Sequence, residues 1–270
     1  ARPPAGIDAA FLLYRAAGVP MPQFAHLPLI LGPDKQRLSK RHGATSVMAY
    51  ADMGYLAEAF FNFLSLLGWS PGDDRELLSR PELIELFTLE GVGKADAVFG
   101  LEKLDWFNSQ YIRNAPVEGL REMVRDELQS KNTWDAAAPP PPENLDAAIE
   151  LLRPRAKKLS DFSGIFRAFF TDAFDYEEGA ARKFLSDPKL KTLIPELGQA
   201  YASDASFTLE STENTLRSFA ERHGVKAGLL INALRVGLTG QGVAPGLFEV
   251  MQALGREKTL ERMKRLGSSL

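Results

Sequence analysis

Cysteine is absent from this 270-residue chain, which excludes disulfide staples, thiolate metal sites and thiol nucleophiles and fits a reducing compartment. No Gly-rich strand-to-helix loop of the Walker or dinucleotide type occurs, so the commonest backbone cradles for nucleotide phosphates are missing. No apolar run approaches the ~20 residues needed to span a bilayer, and no signal peptide is evident. Nor is there an excess of positive charge. The net charge is −3 at pH 7, so an RNA partner has to be met by local basic patches and not by the overall field. What remains is 45% hydrophobic and 25% charged, ordinary globular proportions over a length that holds one to three domains.

Among the residues that are present, Asp34-Lys35-Gln36-Arg37-Leu38-Ser39-Lys40-Arg41-His42-Gly43 stands out. Four cations fall in its first eight positions, directly after apolar Leu27–Leu31 and a Gly32-Pro33-Asp34 turn. Ammonium, guanidinium and N–H donors on such a turn suit a polyphosphate, because charge-assisted hydrogen bonds are roughly twice as strong as neutral ones. Charge alone favours a solvated basic loop, since short basic runs are weak evidence.

Helical periodicity dominates elsewhere. Leu56, Ala59, Phe60, Phe63, Leu64 and Leu67 predict a helix over 55–68 that ends at Gly68. Ser79 and Glu82 form a capping-box pattern, and Asp187-Pro188 reads as a cap with proline at the first helical position. That cap also accounts for Ser186–Lys189, a formal S-x-x-K match with no partner motifs. His223-Gly224 and Gly240 mark helix ends. Pro139–Pro142, after three alanines, is the one clear linker. No strand alternation appears beyond about residue 144. The expected division is a mixed or helical region over 1–115, a helical region over 116–180 and a terminal helical bundle over 181–270.

Two basic clusters could meet RNA. One is Arg153, Arg155, Lys157 and Lys158, where helical spacing puts 153 with 157 and 155 with 158. The other is Arg256, Lys258, Arg262, Lys264 and Arg265, on an amphipathic helix pair over 247–266 that is expected to pack first and to contact RNA second. Trp69, Trp106 and Tyr111 are aromatic candidates for stacking on bases. Trp69 follows Gly68 and is expected in the core; Trp106 is open to either reading.

The order of residues narrows the choice. Arg37-Leu38-Ser39-Lys40-Arg41 resembles the K-[LM]-S-K-[SR] loop of class I aminoacyl-tRNA synthetases. Its flanks, Ala25–Ile30 and His42–Val47, resemble bacterial glutamyl-tRNA synthetase in particular. Asn62–Pro71 is similar to that family's N-[FY]-L-x-L-L-G-W segment. Lys103–Ile112 is similar to K-L-x-W-x-N-x-x-Y-[IL]. Leu234–Gly240 with Gly246–Val250 resembles L-R-x-A-[LI]-T-G and G-x-[FL]-[ED]-[VL]. The likeness is collinear from about residue 10 onward.

The resemblance implies a mainly α fold. A stem-contact region carrying the ATP loop would be followed by an all-helical anticodon-binding domain. It implies that Lys40 contacts ATP as pyrophosphate departs, that Ser39 positions the loop and that Arg41 adds positive potential, with Arg37 and Leu38 completing it. Arg37 stands where the family has lysine. The family's H-x-G-H element, on its N-terminal nucleotide-binding half, has no counterpart among His26, His42 and His223. The chain is therefore expected to be a C-terminal portion of a cytoplasmic synthetase. ATP, Mg²⁺ and glutamate would be handled only together with the other half, and no metal site is expected here. The portion by itself is expected to bind tRNA(Glu), with Trp106, Arg153, Arg155 and Lys157 as contact candidates, and not to aminoacylate it. A free-standing, non-enzymatic tRNA-binding paralog would carry the same residues. On charge alone, so would a helical scaffold with an inert basic loop.

Overall fold

Apolar residues recurring every three or four positions leave most segments one way to bury them, against a neighbouring helix. The computed structural model describes residues 7–23, 27–39, 46–134 and 142–270. In chain order it contains α1 (Ile7–Ala17), β1 (Ile30–Leu31), α2 (Val47–Asp52), α3 (Ala57–Ser65), α4 (Arg80–Leu86), β2 (Ala97–Val98) and α5 (Leu101–Asn114). Helices alone follow: α6 (Val117–Ser130), α7 (Pro142–Leu152), α8 (Ser160–Ser163), α9 (Glu178–Phe184), α10 (Leu190–Ala202), α11 (Leu209–Arg222), α12 (Ala227–Thr239), α13 (Leu247–Leu254) and α14 (Arg256–Ser269). The mainly helical class agrees with the sequence reading. The strands do not show in it: β1 and β2 pair in parallel over two residues each, Ile30 with Ala97 and Leu31 with Val98, too few to leave an alternating pattern.

The helix over 55–68 is shorter than its apolar repeat, running as α3 from Ala57 to Ser65. Its inward face joins an aromatic cluster of Tyr50, Tyr55, Phe60, Phe63, Phe99, Leu104 and Phe107. Tyr50 stacks on Phe60 at 4.8 Å, and Phe63 meets Phe99 edge-on at 5.1 Å. A second, larger core starts at Leu56, Ala59 and Ile112 and continues without a break through α6 to α14, as far as Leu266. The two expected helical regions thus share one interior.

The capping box at Ser79 forms as expected, with the Ser79 N–H donating to the Glu82 carboxylate at 2.8 Å and the serine oxygen accepting from the Glu82 N–H. Asp187 accepts from the Lys189 N–H at 2.9 Å, but a turn intervenes and α10 starts only at Leu190. Gly240 closes α12 at φ +77, where a Cβ would stand 2.5 Å from Asp175 O. Only glycine allows the 171–177 segment to cross the helix end so closely.

That crossing shapes the tail. Most of its cations engage the chain itself, in line with packing as the first expectation for this helix pair. Arg262 is only 2% exposed and donates to Asp172 Oδ1 (2.6 and 2.9 Å), Leu238 O (2.6 Å) and Thr171 O (3.2 Å). Arg265 donates to Asp172 O at 2.9 Å and lies over Phe174. Lys258 reaches Asp172 at 3.8 Å, and Arg256 bonds Asp204 O over the Phe207 ring. Of the five, Lys264 and Arg265 are exposed, and only Lys264 has none of these internal bonds. A guanidinium taken out of water needs both a counter-charge and hydrogen-bond acceptors, and Asp172 with two carbonyls provides them.

Burial raises the Asp172 carboxyl, but the bond and charge of Arg262 outweigh it and hold the group below its usual range. A carboxyl whose folded-state pKa is depressed stabilises the fold above its unfolded value, ~3.9 for aspartate. The contribution is lost as pH falls through the lower folded value. Asp172→Asn is expected to cost about 2 kcal/mol in urea unfolding at pH 7, the scale of one charged hydrogen bond. The gap to the parent chain should narrow progressively below about pH 4. A gap that stays constant down to pH 3 would show that the ion pair contributes nothing.

Candidate functional site

The basic run emerges from a defined base. From Leu31 the chain turns at Gly32–Gln36, with Gly32 N–H donating to Gln36 O at 2.7 Å and Gln36 N–H to Asp34 Oδ1 at 3.0 Å. It returns antiparallel, Arg37 opposite Leu31, and Leu38 N–H donates to Ile30 O at 2.9 Å. The Leu38 side chain packs against the aromatic cluster. An apolar residue inside a basic run is thereby explained as an anchor, while Arg37 stays exposed and Ser39 half-buried. Lys40 and Arg41, which carry most of the sequence argument, lie outside the described residues, as do His26 and His42.

The basic cluster after α7 is arranged differently from the sequence expectation. Helix α7 ends at Leu152, and Arg153–Arg155 form a turn. Pro154 accounts for the break, since proline lacks an N–H and disfavours helical geometry in the residue before it. Helical pairing of 153 with 157 and 155 with 158 therefore does not occur. Arg153 is engaged internally: Nη1 donates to Ala115 O at 2.9 Å and Nη2 pairs with Glu150 at 2.8 Å. Lys158 turns back to Asp105 at 3.4 Å and over the Tyr55 ring. Arg155 and Lys157 are exposed, Arg155 reaching only the Leu151 carbonyl at 3.3 Å.

The aromatic candidates separate as well. Trp69 is 6% exposed and donates from Nε1 to Thr88 O at 3.2 Å, in a small core with Leu78 and Leu83, as expected. Tyr111 packs against both large cores with its hydroxyl 2.8 Å from Leu78 O and 3.0 Å from Asn62 Oδ1. Burial pushes that hydroxyl up to about 12, and the ring is committed to the interior. Trp106 is 42% exposed, edge-on to Phe107 at 5.1 Å. It is the one of the three that offers a face to a ligand.

One residue escaped the sequence reading. Arg235, half-buried on α12, donates to Asn232 Oδ1 at 2.7 Å, while its Nε is buried without a partner. Buried donors are normally satisfied, so helix packing alone does not account for this side chain. Its signal was its place in the Leu234–Gly240 segment. Among the described residues no group of three or more His, Asp or Glu could hold a metal ion.

Comparison with known proteins adds to this geometry. The family model described as "tRNA synthetases class I (E and Q), catalytic domain" matches residues 7–106, and that described as "Anticodon binding domain" matches residues 119–266. Glutamate–tRNA ligase 2 of Koribacter versatilis is 54% identical over 255 residues, covering 94% of this chain and 53% of that protein. The glutamate–tRNA ligase of Geobacter sulfurreducens is 41% identical, again covering 94% and 53%. A crystal structure of a glutamate tRNA ligase from Elizabethkingia meningosepticum in complex with its amino acid superposes with a TM-score of 0.82 at 32% identity, over 98% of this chain and 55% of that one. The chain thus spans about half the length of the curated relatives it matches.

The separation of internal from outward cations is testable by stability. Arg153→Ala should lower unfolding stability by about 1–2 kcal/mol, because Ala115 O loses its donor. Arg155→Ala and Lys157→Ala should stay within about 0.5 kcal/mol of the parent. Equal effects in urea melts of all three variants would contradict the arrangement.

Proposed function

The chain belongs to the glutamate–tRNA ligase family, and on that premise we propose that it supplies the part of such an enzyme that carries the ATP loop and grips tRNA(Glu). The observation that carries this reading is collinearity. One chain holds the class I catalytic match over 7–106, with the basic run inside it, and the anticodon-binding match over 119–266. In the whole enzyme, glutamate's carboxylate attacks the α-phosphate of ATP and pyrophosphate leaves; a hydroxyl of the tRNA's terminal ribose then takes the acyl group and AMP is released.

In this proposal Lys40 meets charge that builds on the phosphates as pyrophosphate leaves. A contact that strengthens toward the transition state lowers the barrier, whereas one equally strong in the ground state does not. Arg37, Leu38, Ser39 and Arg41 complete that loop, with Leu38 as its apolar anchor. Mg²⁺ would ride on the ATP phosphates, as it usually does when substrate phosphates supply most of its protein-bound ligands.

Exposed apolar surface supports the need for a nucleotide-binding half. Parallel strands are ordinarily covered on both faces, yet Ile30 and Val98 of the β1–β2 pair are exposed. Nearby in sequence, α1 displays Leu12 at 66% and Leu13 at 70% exposure. For the RNA side, Trp106, Arg155 and Lys157 offer an outward ring and two cations. Arg153 is better assigned to holding α7 against the α5–α6 junction. The division into 1–115, 116–180 and 181–270 then assigns stem contact to the first part and the anticodon end to the other two. No helix among the described residues is long and apolar enough to cross a membrane, and the cytoplasm, where tRNA is charged, is the proposed location.

The chain by itself should bind tRNA(Glu) in filter or fluorescence titrations, with log Kd rising linearly with log salt. Arg155→Ala and Lys157→Ala should each lower that slope by about one. ATP–pyrophosphate exchange should remain at background. Exchange clearly above background, or no tRNA binding at low salt, would overturn the assignment.

A further inference from the structure

Helix α5 carries two polar side chains one turn apart, Asp105 and Asn108, that substrate contact does not explain. Residues at that spacing share a helix face. Asn108 is fully buried; its Oδ1 accepts from Leu56 N–H at 2.8 Å, and its Nδ2 donates to Lys157 O at 2.6 Å and lies 3.5 Å from Gly54 O. Asp105 Oδ1 accepts the Tyr55 hydroxyl at 2.5 Å and sits 3.4 Å from Lys158 Nζ, which also lies 4.9 Å over the Tyr55 ring. One helix thereby holds two backbone segments about a hundred residues apart, 53–56 and 157–160.

The two segments also join each other directly. Leu159 N–H donates to Gly54 O at 2.9 Å, and Ser160 Oγ donates to Met53 O at 2.8 Å. Gly54 has φ +89, and a Cβ there would stand 2.5 Å from Ser160 N, so only glycine admits this approach. Met53 caps the C-terminal end of α2, the helix that follows the basic run in sequence. Residues 157–160 lie within the anticodon-binding match. Lys157 commits both backbone groups to this junction, its N–H to Asp161 at 2.6 Å and its carbonyl to Asn108, while its side chain is exposed.

We propose that Asp105 and Asn108 are positioning residues that make α2 and the Lys157–Ser160 turn move as one body, so that RNA held at Arg155 and Lys157 steadies α2. A load on the Lys157 side chain is transmitted to the Asn108 amide, and Asn108 passes it to Gly54 and Leu56. This inference rests on the tRNA-binding function proposed above.

The test is deuterium exchange over residues 46–56 of the chain, free and with transcribed tRNA(Glu). In the parent chain tRNA should slow exchange there by about threefold or more. N108D keeps the acceptor for Leu56 but has no donor for Lys157, and D105N keeps the Tyr55 bond while losing the ion pair. Both should bind tRNA within about threefold of the parent and lose most of the slowing. Unchanged exchange in α10–α14 of each variant controls for folding, and D105N is the milder change if N108D unfolds. Slowing that persists in folded D105N, or is missing in a parent chain that binds tRNA, overturns the coupling and leaves the functional reading standing. A parent chain that binds no tRNA removes both.

Discussion

A buried amide has no water to fall back on, and Asn108 meets that demand by bonding backbone from two remote segments at once. Each group left unsatisfied there would cost about 1–3 kcal/mol. The side chain therefore specifies a geometry as much as it stabilises one. The segments it holds, 54–56 and 157, belong to the regions matching the catalytic and anticodon-binding families respectively. Inter-domain surfaces usually permit relative motion unless they are large and apolar. Here the apolar core already extends across the boundary through Leu56, Ala59 and Ile112, and the amide fixes the register in which the two parts meet.

Arg262 does for the distal helices what Asn108 does for the junction. The α12 end, the 171–174 segment and α14 converge on one guanidinium. A flexible lysine could not replace it, because the planar fork reaches a carboxylate and two carbonyls in fixed directions. Burying a charge this way is rarely the cheapest route to stability. It defines a single packing, since any other arrangement strands a cation in the interior.

Much of this was legible in the sequence, for physical reasons that can be named. The Ser79–Glu82 cap, the helix ends at His223 and Gly240 and the interior place of Trp69 each follow from rules acting within a few residues. The packing partners of the basic tail were not legible, because periodicity shows which residues share a face, not which segment covers that face. Nothing local to Arg262 announces that Asp172, ninety positions earlier, arrives beside it. The Arg153–Lys158 error was avoidable, because Pro154 stands in the middle of the assumed helix. The β1–β2 pairing joins residues 67 positions apart over two residues each, and no local pattern encodes that. Of the loop, the sequence order marked the motif and the fold explains Leu38, while Lys40 stays an inference from order alone.

The modest net charge, which requires any RNA to be met by local patches, takes on more meaning once the cations are sorted. Arg153, Lys158, Arg256, Arg262 and Arg265 are bound to carbonyls or carboxylates of the chain itself. Their donors hold the scaffold, and only Arg265 among them is exposed. Arg155 and Lys157 are exposed on a turn whose backbone is held at Lys157, its carbonyl by Asn108 and its N–H by Asp161. A few cations held in fixed places discriminate by position, because only an RNA of matching shape brings its phosphates to them. A diffuse positive surface would bind any RNA and select none. In the proposed function, cations held at fixed positions on the Arg155–Lys157 turn would let the placement of RNA phosphates, and not bulk charge, decide binding.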